Sequence, residues 1–585
     1  MKNKIANHMK YKEQIMAFLI CTIFCILGTM LCDNEIYEDD WYIEASADGL
    51  FGEENRSLMV LCSNFIITGI IKALSLSGVR LMWLHIIFVA LLWICSLIIC
   101  NIIISKSTSQ YRVIYVLIYM TFVVPILFFN MQLTIISTYV IISGCANVFY
   151  CIDNQKKWFH YFLSAIVIIL GVSIRDDNIY FALVFMGSVW LYNVFHKRMN
   201  VKGIIKYAYP FVFILMSIFL IFCAQRAMMS IENGGFYEWN TIRSKIDDYD
   251  LPKYDEAREK YEQIGINEND YELLKTWNYF DSSFYTEEKY QQLLEICEEY
   301  TEHHIGFKEI ASFWIDNIYG EIILIGWIIG FALKNKEIQR KIGLLMIISS
   351  GLIFFFMYKG RWIWRIEWSI ILAIFISLIC IISVDEITEI EQFILKKRRM
   401  WVAFSIVFLL FFSGNSYSLK WNPLSEESII NIYFEQMTSN KTYWAYIQSD
   451  KTDKMNTTNK KIEEYLERNK DLFFFPLFEE GWLQHYPLVA NDIFLTSDVG
   501  ACENWGTLGQ YMINLQPIKN NFKKYGIENP IKDLCNKNAR VIVRNTNIED
   551  INLLEKYLED HYYEDVKASV VYEVGDACIY RFVSD

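Results

Sequence analysis

Glu38-Asp39-Asp40-Trp41-Tyr42 sets three carboxylates in a row beside two aromatic rings. The run follows closely on the first long apolar stretch. It lies within acidic sequence that also holds Asp33, Glu35, Glu44, Asp48, Glu53 and Glu54. The plain reading is a solvated acidic loop. The chemical reading is a carboxylate pair held at the water–lipid boundary, a depth that suits Trp41 and Tyr42. A paired carboxylate beside a low-dielectric wall has a raised pKa and takes a proton readily. The same pair can hold a divalent metal such as Mg or Mn.

Positive charge forms the second signal. Lys359, Arg361 and Arg365 fall within Tyr358-Lys359-Gly360-Arg361-Trp362-Ile363-Trp364-Arg365, and Arg175 opens Arg175-Asp176-Asp177-Asn178. On a helix, Arg361 and Arg365 would share a face. Two guanidinium groups on one face make a fork for a phosphate. The plain alternative is snorkelling to lipid headgroups, or an ion pair with Glu367 or Asp176.

These groups need elements to position them, and the composition says which. The chain has 585 residues, 54% hydrophobic and 21% charged. Its mean hydropathy is +0.21. The apolar excess is gathered in runs long enough to cross a bilayer. That excludes a soluble cytosolic enzyme, a secreted disulfide scaffold and a disordered chain. The net charge of −13 excludes the basic face a nucleic-acid binder needs. Many of the 14 cysteines lie inside apolar runs, and no C-x-x-C pair occurs, so no zinc or redox framework is expected.

The first run, Gln14 to Leu31, follows Lys2, Lys4, Lys10 and Lys12. No small-x-small cleavage site comes after it, so an uncleaved span is expected. Further runs cover roughly 81–104, 113–129, 131–150, 158–174, 178–196, 206–224, 316–334, 342–358, 365–384 and 401–417. That makes about eleven spans on the twenty-residue rule. Leu58–Leu76 is apolar enough to be another, and charge parity decides against it. Without it, the short-loop clusters around Lys106, Lys156, Lys197, Lys336 and Lys396 share one side with the N-terminal lysines, and the positive-inside rule makes that side cytoplasmic. Leu58–Leu76 is then expected as a helix lying in the outer interface.

The expected architecture is a mainly α, polytopic membrane module over residues 1–417, with outer loops 33–80 and 225–315. A small extracytoplasmic α/β domain over 418–585 follows it. In the tail, strands are expected at Arg540–Arg544, Lys567–Glu573 and Ala577–Val583, and a helix at Ile548–His561. Cys502, Cys535 and Cys578 permit one disulfide there. The loop 225–315 is rich in Tyr and Trp. Such rings stack on sugars, and they equally build small helical domains.

Glu38-Asp39-Asp40-Trp41-Tyr42 directly after span one, the interfacial helix, the arginines at outer span ends and the outer C-terminal domain together resemble the GT-C superfamily of membrane glycosyltransferases. The resemblance covers the architecture of most of the chain, and its sharp part is short. It implies transfer of a sugar from a polyprenyl-phosphate-linked donor to a glycan, lipid or protein acceptor at the outer face of the plasma membrane, usually with inversion. It implies Asp39 as general base, with Asp40 orienting the acceptor or sharing a metal. Arg175, Arg361 and Arg365 would hold the donor phosphate. Glu38, Asp176, Asp177 and Lys359 would support them. The Asp-Asp pair stands where several relatives have Asp-Glu, so either member can be the base.

Other classes fit the same topology. A lipid-linked-glycan flippase or transporter would place charge near the bilayer midplane, where this chain has almost none. A glycan polymerase would share the donor chemistry and join preformed units. A non-catalytic assembly protein would tolerate Asp39→Asn and not the loss of its tail.

Overall fold

The computed structural model describes residues 2–31, 63–77, 83–107, 112–129, 131–232, 236–248, 251–275, 281–300, 318–333, 335–358, 364–389, 464–477, 514–544, 548–575 and 577–584, with a few single positions between them. Among the described residues the fold is mainly helical and carries one small sheet near the C-terminus.

Each apolar run from the first to 365–384 is a helix. They are α1 (Lys2–Leu31), α3 (Trp83–Lys106), α4 (Arg112–Phe129), α5 (Leu133–Asp153), α6 (Trp158–Ile174), α7 (Ile179–His196), α8 (Val201–Glu232), α13 (Ile318–Ala332), α14 (Lys336–Tyr358) and α15 (Trp364–Ile381). The run at 401–417 lies outside the described residues. Among the described residues, six helical stretches are long and apolar enough to cross a membrane: Lys12–Thr29, Trp83–Lys106, Leu133–Asp153, Asp176–His196, Val201–Ile231 and Lys336–Tyr358. The helix expected within 58–76 is α2 (Phe65–Ser75), 11 residues long. At about 1.5 Å per residue it is too short to cross the hydrocarbon core.

The chain divides into two compact units. The first comprises Met1–Asn34, His85–Ile221 and His304–Tyr443; the second comprises Glu35–Leu84, Phe222–His303 and Trp444–Asp585.

Helix α5 is the most enclosed member of the first unit, with 89% of its span buried. It packs on α6 and α15. Two glycines allow the α5–α6 approach. A Cβ added at Gly144 would lie 2.5 Å from Ile168 Cγ1, and one at Gly171 would lie 2.9 Å from the Ile141 backbone nitrogen. Small residues let helix backbones approach where the solvent itself offers no hydrophobic drive. Asn147 Nδ2 donates to Ser164 Oγ across the same contact at 2.9 Å.

In the second unit, Glu44 is fully buried and caps α3. Its carboxylate accepts from the backbone nitrogens of Trp83 (2.8 Å) and Leu84 (2.7 Å). Helix N-termini leave such donors unpaired, and a carboxylate suits the dipole. One member of the acidic stretch is therefore structural. Helix α2 is capped by Asn64, and its Phe65 nitrogen donates to Gln225 Oε1 at 2.9 Å.

The aromatic loop builds its own core through α9 (Phe236–Asp248), α10 (Tyr254–Gln263), α11 (Glu268–Lys275) and α12 (Glu287–Tyr300). Tyr254, Tyr261 and Tyr271 pack ring on ring at 5.5–5.8 Å. Tyr285 and Tyr290 are buried as well. These rings serve packing, so the sugar-stacking role open to them in the sequence does not apply.

In the tail, β1 (Phe473–Pro476) pairs in parallel with β2 (Ala539–Arg544). Strand β4 (Ala577–Val583) pairs antiparallel with both β2 and β3 (Lys567–Val574), giving the order β1-β2-β4-β3. The segment before β2 holds α16 (Gln516–Lys523), and α17 (Ile548–His561) links β2 to β3. The expected strands and helix fall within a residue or so of these bounds. Cys535 and Cys578 form no disulfide among the described residues, and Cys502 lies outside the described residues.

Candidate functional site at one end of the helical unit

Helix α6 ends because Arg175 turns to extended backbone, φ −151° and ψ 114°. Asp176–Asn178 then makes a single 3-10 turn into α7. Three side chains fix this corner. Ser137 Oγ donates to the carbonyl of Gly171 (2.8 Å) or of Arg175 (3.0 Å). Asn178 Nδ2, buried, donates to the Thr134 carbonyl at 2.8 Å. Asp176 Oδ1 accepts from the Asp177 nitrogen at 2.9 Å. The Arg175 backbone is thus held while its side chain stays half-buried, and Asp176 and Asp177 are exposed.

Arg365 stands in the first turn of α15, where Ser369 Oγ donates to its carbonyl at 2.8 Å. It is half-buried. Two residues on, Glu367 is 6% exposed, and its Oε1 has no hydrogen-bond partner. The sequence leaves Glu367 as an ion-pair partner for an arginine; among the described residues no such pair occurs.

The helix ends show that these groups share one end of the unit. Lys106 Nζ, at the end of α3, donates to the carbonyls of Ile379 (2.8 Å), Cys380 (2.6 Å) and Ile382 (3.1 Å), at the end of α15. Lys197 pairs with Asp153 at 2.7 Å, joining the ends of α7 and α5. Lys341, early in α14, pairs with Glu386 just after α15 at 2.6 Å. His196 and Glu337 bring the end of α7 to the start of α14 at 3.1 Å. So α3, α5, α7 and α15 all finish at one lysine-rich end. Their starts, with Arg175, Asp176, Asp177, Arg365 and Glu367, lie at the other. His85, in the first turn of α3, belongs to that second end. It is 1% exposed, and neither ring nitrogen has a hydrogen-bond partner among the described residues.

Glu38, Asp39, Asp40, Lys359 and Arg361 lie outside the described residues. Among the described residues, no three His, Cys, Asp or Glu side chains gather as a metal site would require. What the described end offers is a half-buried guanidinium on each of two helix ends, and two buried polar groups with unused hydrogen-bonding capacity. Guanidinium groups in such a place suit a phosphate. The burial of Glu367 and His85 was not legible from the sequence, because each stands at the edge of an apolar run, where exposure is equally natural.

Compared with protein-family models, curated proteins and solved structures, the chain matches none.

Proposed function

We propose that this chain is a membrane glycosyltransferase of the GT-C kind. It would span the plasma membrane about eleven times, with its N-terminus cytoplasmic and its C-terminal domain, 418–585, outside. The observation that carries the proposal is the separation of charges in the first unit. Lys106, Lys197 and Lys341 occupy one end, and Arg175, Asp176, Asp177 and Arg365 the other. The positive-inside rule makes the lysine end cytoplasmic. The arginines at the far end suit an anionic ligand at the interface, and a polyprenyl-phosphate donor supplies one.

In this reading Asp39, or its neighbour Asp40, takes the proton of an acceptor hydroxyl. The freed oxygen attacks the anomeric carbon of the donor sugar. The bond from that carbon to the phosphate oxygen breaks, with inversion. Polyprenyl phosphate leaves with one more negative charge. Arg175 and Arg365, with Arg361, hydrogen-bond the phosphate oxygens that gain it. Glu38, Asp176, Asp177 and Lys359 orient these groups. The acceptor is a glycan, lipid or protein at the cell surface.

The test is surface-glycan analysis of cells carrying wild-type, Asp39→Asn or Asp40→Asn protein at equal membrane levels. Loss of one sugar in either variant, with the sugar-loaded polyprenyl phosphate accumulating, is the expected result. An unchanged glycan in both variants would sink the transferase reading and favour transport or assembly.

A further inference from the structure

We propose that the tail sheet carries a phosphate-binding site built on Arg540 and Arg581. Nothing in it depends on the donor chemistry above. The register of β2 against β4 pairs Val541 with Tyr580 and Ile542 with Ile579, so one step on it sets Arg540 opposite Arg581. Arg540 also stands beside Phe474 of β1, and Arg581 beside Ser569 of β3. Residues directly opposite one another share a face of the sheet. The row across that face reads Phe474, Arg540, Arg581, Ser569, and the next row reads Pro476, Ile542, Ile579, Tyr572. Neither row holds a carboxylate. Like charges directly opposite on neighbouring strands destabilise the pair. Arginines do not escape this by losing a proton.

Both side chains are half-buried. Among the described residues the Arg581 guanidinium makes no hydrogen bond or ion pair, and its Nε is buried. Arg540 donates from Nη1 to the carbonyls of Lys537 (2.9 Å) and Ala539 (2.6 Å), and its Nε is likewise buried and unpartnered. Burial, and next the Arg581 charge, push the Arg540 guanidinium below its usual range; Asp471 opposes this only from a distance. Glu464 is engaged with Arg468 at 3.5 Å. Buried polar groups are almost always paired, and an unpaired one calls for a reason such as a missing ion. Tyr465 is held over the same face, its ring 4.3 Å from that of Tyr572 and 5.9 Å from that of Phe474. Such a cover lowers the local polarity, where a charged hydrogen bond counts for more. The chemistry selects the ligand. Arg581 has both terminal amino groups uncommitted, and Arg540 has Nη2. A phosphate monoester brings three acceptor oxygens and up to two negative charges, so it accepts from both forks at once and cancels their repulsion. A carboxylate, with two oxygens and one charge, suits a single fork.

The experiment follows proteolysis of the tail in full-length protein held in phosphatidylcholine nanodiscs. The probes are inorganic phosphate, glycerol 3-phosphate and vesicles containing phosphatidic acid, with chloride at matched ionic strength as control. A ligand of the folded tail slows its cleavage as occupancy rises. Wild type should be protected by at least one phosphate probe and not by chloride. Arg581→Gln should raise the concentration needed for protection by roughly tenfold to a hundredfold, the worth of one hydrogen bond to a charged group. Protection by the vesicles alone assigns the phosphate to a lipid headgroup, and protection by the soluble probes assigns it to free phosphate or a small ester; either upholds the site. Without any probe, Arg581→Gln should be cleaved no faster than wild type, since it removes a repulsion and no protein contact. Faster cleavage there would make Arg581 a fold-holding residue and overturn the proposal. So would a wild type protected by no probe, or protection unchanged in Arg581→Gln. Arg175→Gln should keep the protection whole; its loss there would put the phosphate on the first unit and overturn the proposal as well.

Discussion

Asn529 donates its side-chain amide to Oδ1 of Asp281 at 2.6 Å, across 248 positions of chain. The same carboxylate accepts from the backbone nitrogens of Ser283 (2.9 Å) and Phe284 (3.3 Å), and from the hydroxyls of Tyr557 (2.9 Å) and Tyr562 (2.5 Å). Asp281 is fully buried. Hydrogen-bond donors meet its charge, and they come from both the aromatic loop and the tail. Nearby, His561 Nε2 lies 2.8 Å from Asp270, and Asn267 donates to Asp560 at 2.9 Å. These contacts tie the loop helices to α17 and to the Asn529 loop before β2 within the second unit.

Asp281→Ala should therefore destabilise the second unit by about 3–5 kcal/mol, because it strands several buried donors at once. Tyr562→Phe removes one donor and should cost about 1 kcal/mol. Urea unfolding of the full chain, followed by proteolysis of the tail, would separate the two. Equal and small losses would mean the network holds nothing together.

The same network fixes an alkaline limit. Burial, reinforced by the Asp281 charge, pushes the hydroxyls of Tyr557 and Tyr562 well above the ordinary tyrosine range. A folded-state pKa raised above the unfolded one gives stability that is complete below the unfolded value, about 10 for tyrosine. That stability is lost as pH rises from there toward the folded value. The second unit should thus weaken above about pH 10, and the double variant Tyr557→Phe/Tyr562→Phe should be flatter in that range, though weaker at neutral pH. Tail proteolysis across pH 8–11 in wild type and variant measures both slopes.

None of the Asp281 network was legible in the sequence. Its members are scattered over hundreds of positions, and a buried aspartate looks like an exposed one until its neighbours are known. Periodicity and length, by contrast, are local. They gave α5, α6 and α7 nearly residue for residue, and the strand–helix–strand–strand order from Ala539 to Val583. Short-loop lysines gave one end of the first unit, because Lys106, Lys197 and Lys341 follow or begin their helices in sequence. The continuation of α8 past 224 to Glu232 is not legible in the sequence, since Gln225 and Arg226 end the apolar run without ending the helix. From the sequence alone Glu44 is one more loop acid, and its capping role depends on where Trp83 folds back.

Lys341 and Glu386 form a buried pair, 4% and 8% exposed at their side chains, joined by two contacts of 2.7 and 2.6 Å. Lys341→Met strands the Glu386 charge and should cost about 3–5 kcal/mol, whereas Glu386→Leu leaves Lys341 with Glu337 at 3.3 Å and should cost less. The double variant strands no buried charge and should lie close to wild type in the same thermal melt. A double variant as weak as Lys341→Met would show that packing, not the charge pair, joins α14 to the end of α15.

Gly171 governs the position of Arg175. Its carbonyl accepts from the Arg175 nitrogen at 3.4 Å and from Ser137 Oγ at 2.8 Å. A Cβ at Gly171 would meet the Ile141 backbone at 2.9 Å and Ile141 Cγ1 at 2.7 Å. Backbone cannot step aside as a side-chain tip can, so α6 must move away from α5. The corner at Arg175–Asn178 moves with it. Gly171→Ala should cost about 1–3 kcal/mol and weaken undecaprenyl-phosphate binding although Arg175 is intact. Ser137→Ala leaves the helices in contact and removes only the hydroxyl that holds the corner. It should keep the fold while weakening that binding by about threefold to tenfold, the worth of one neutral hydrogen bond. Unchanged affinity in both variants, at equal membrane levels, would show that the Arg175 corner takes no part in holding the phosphate.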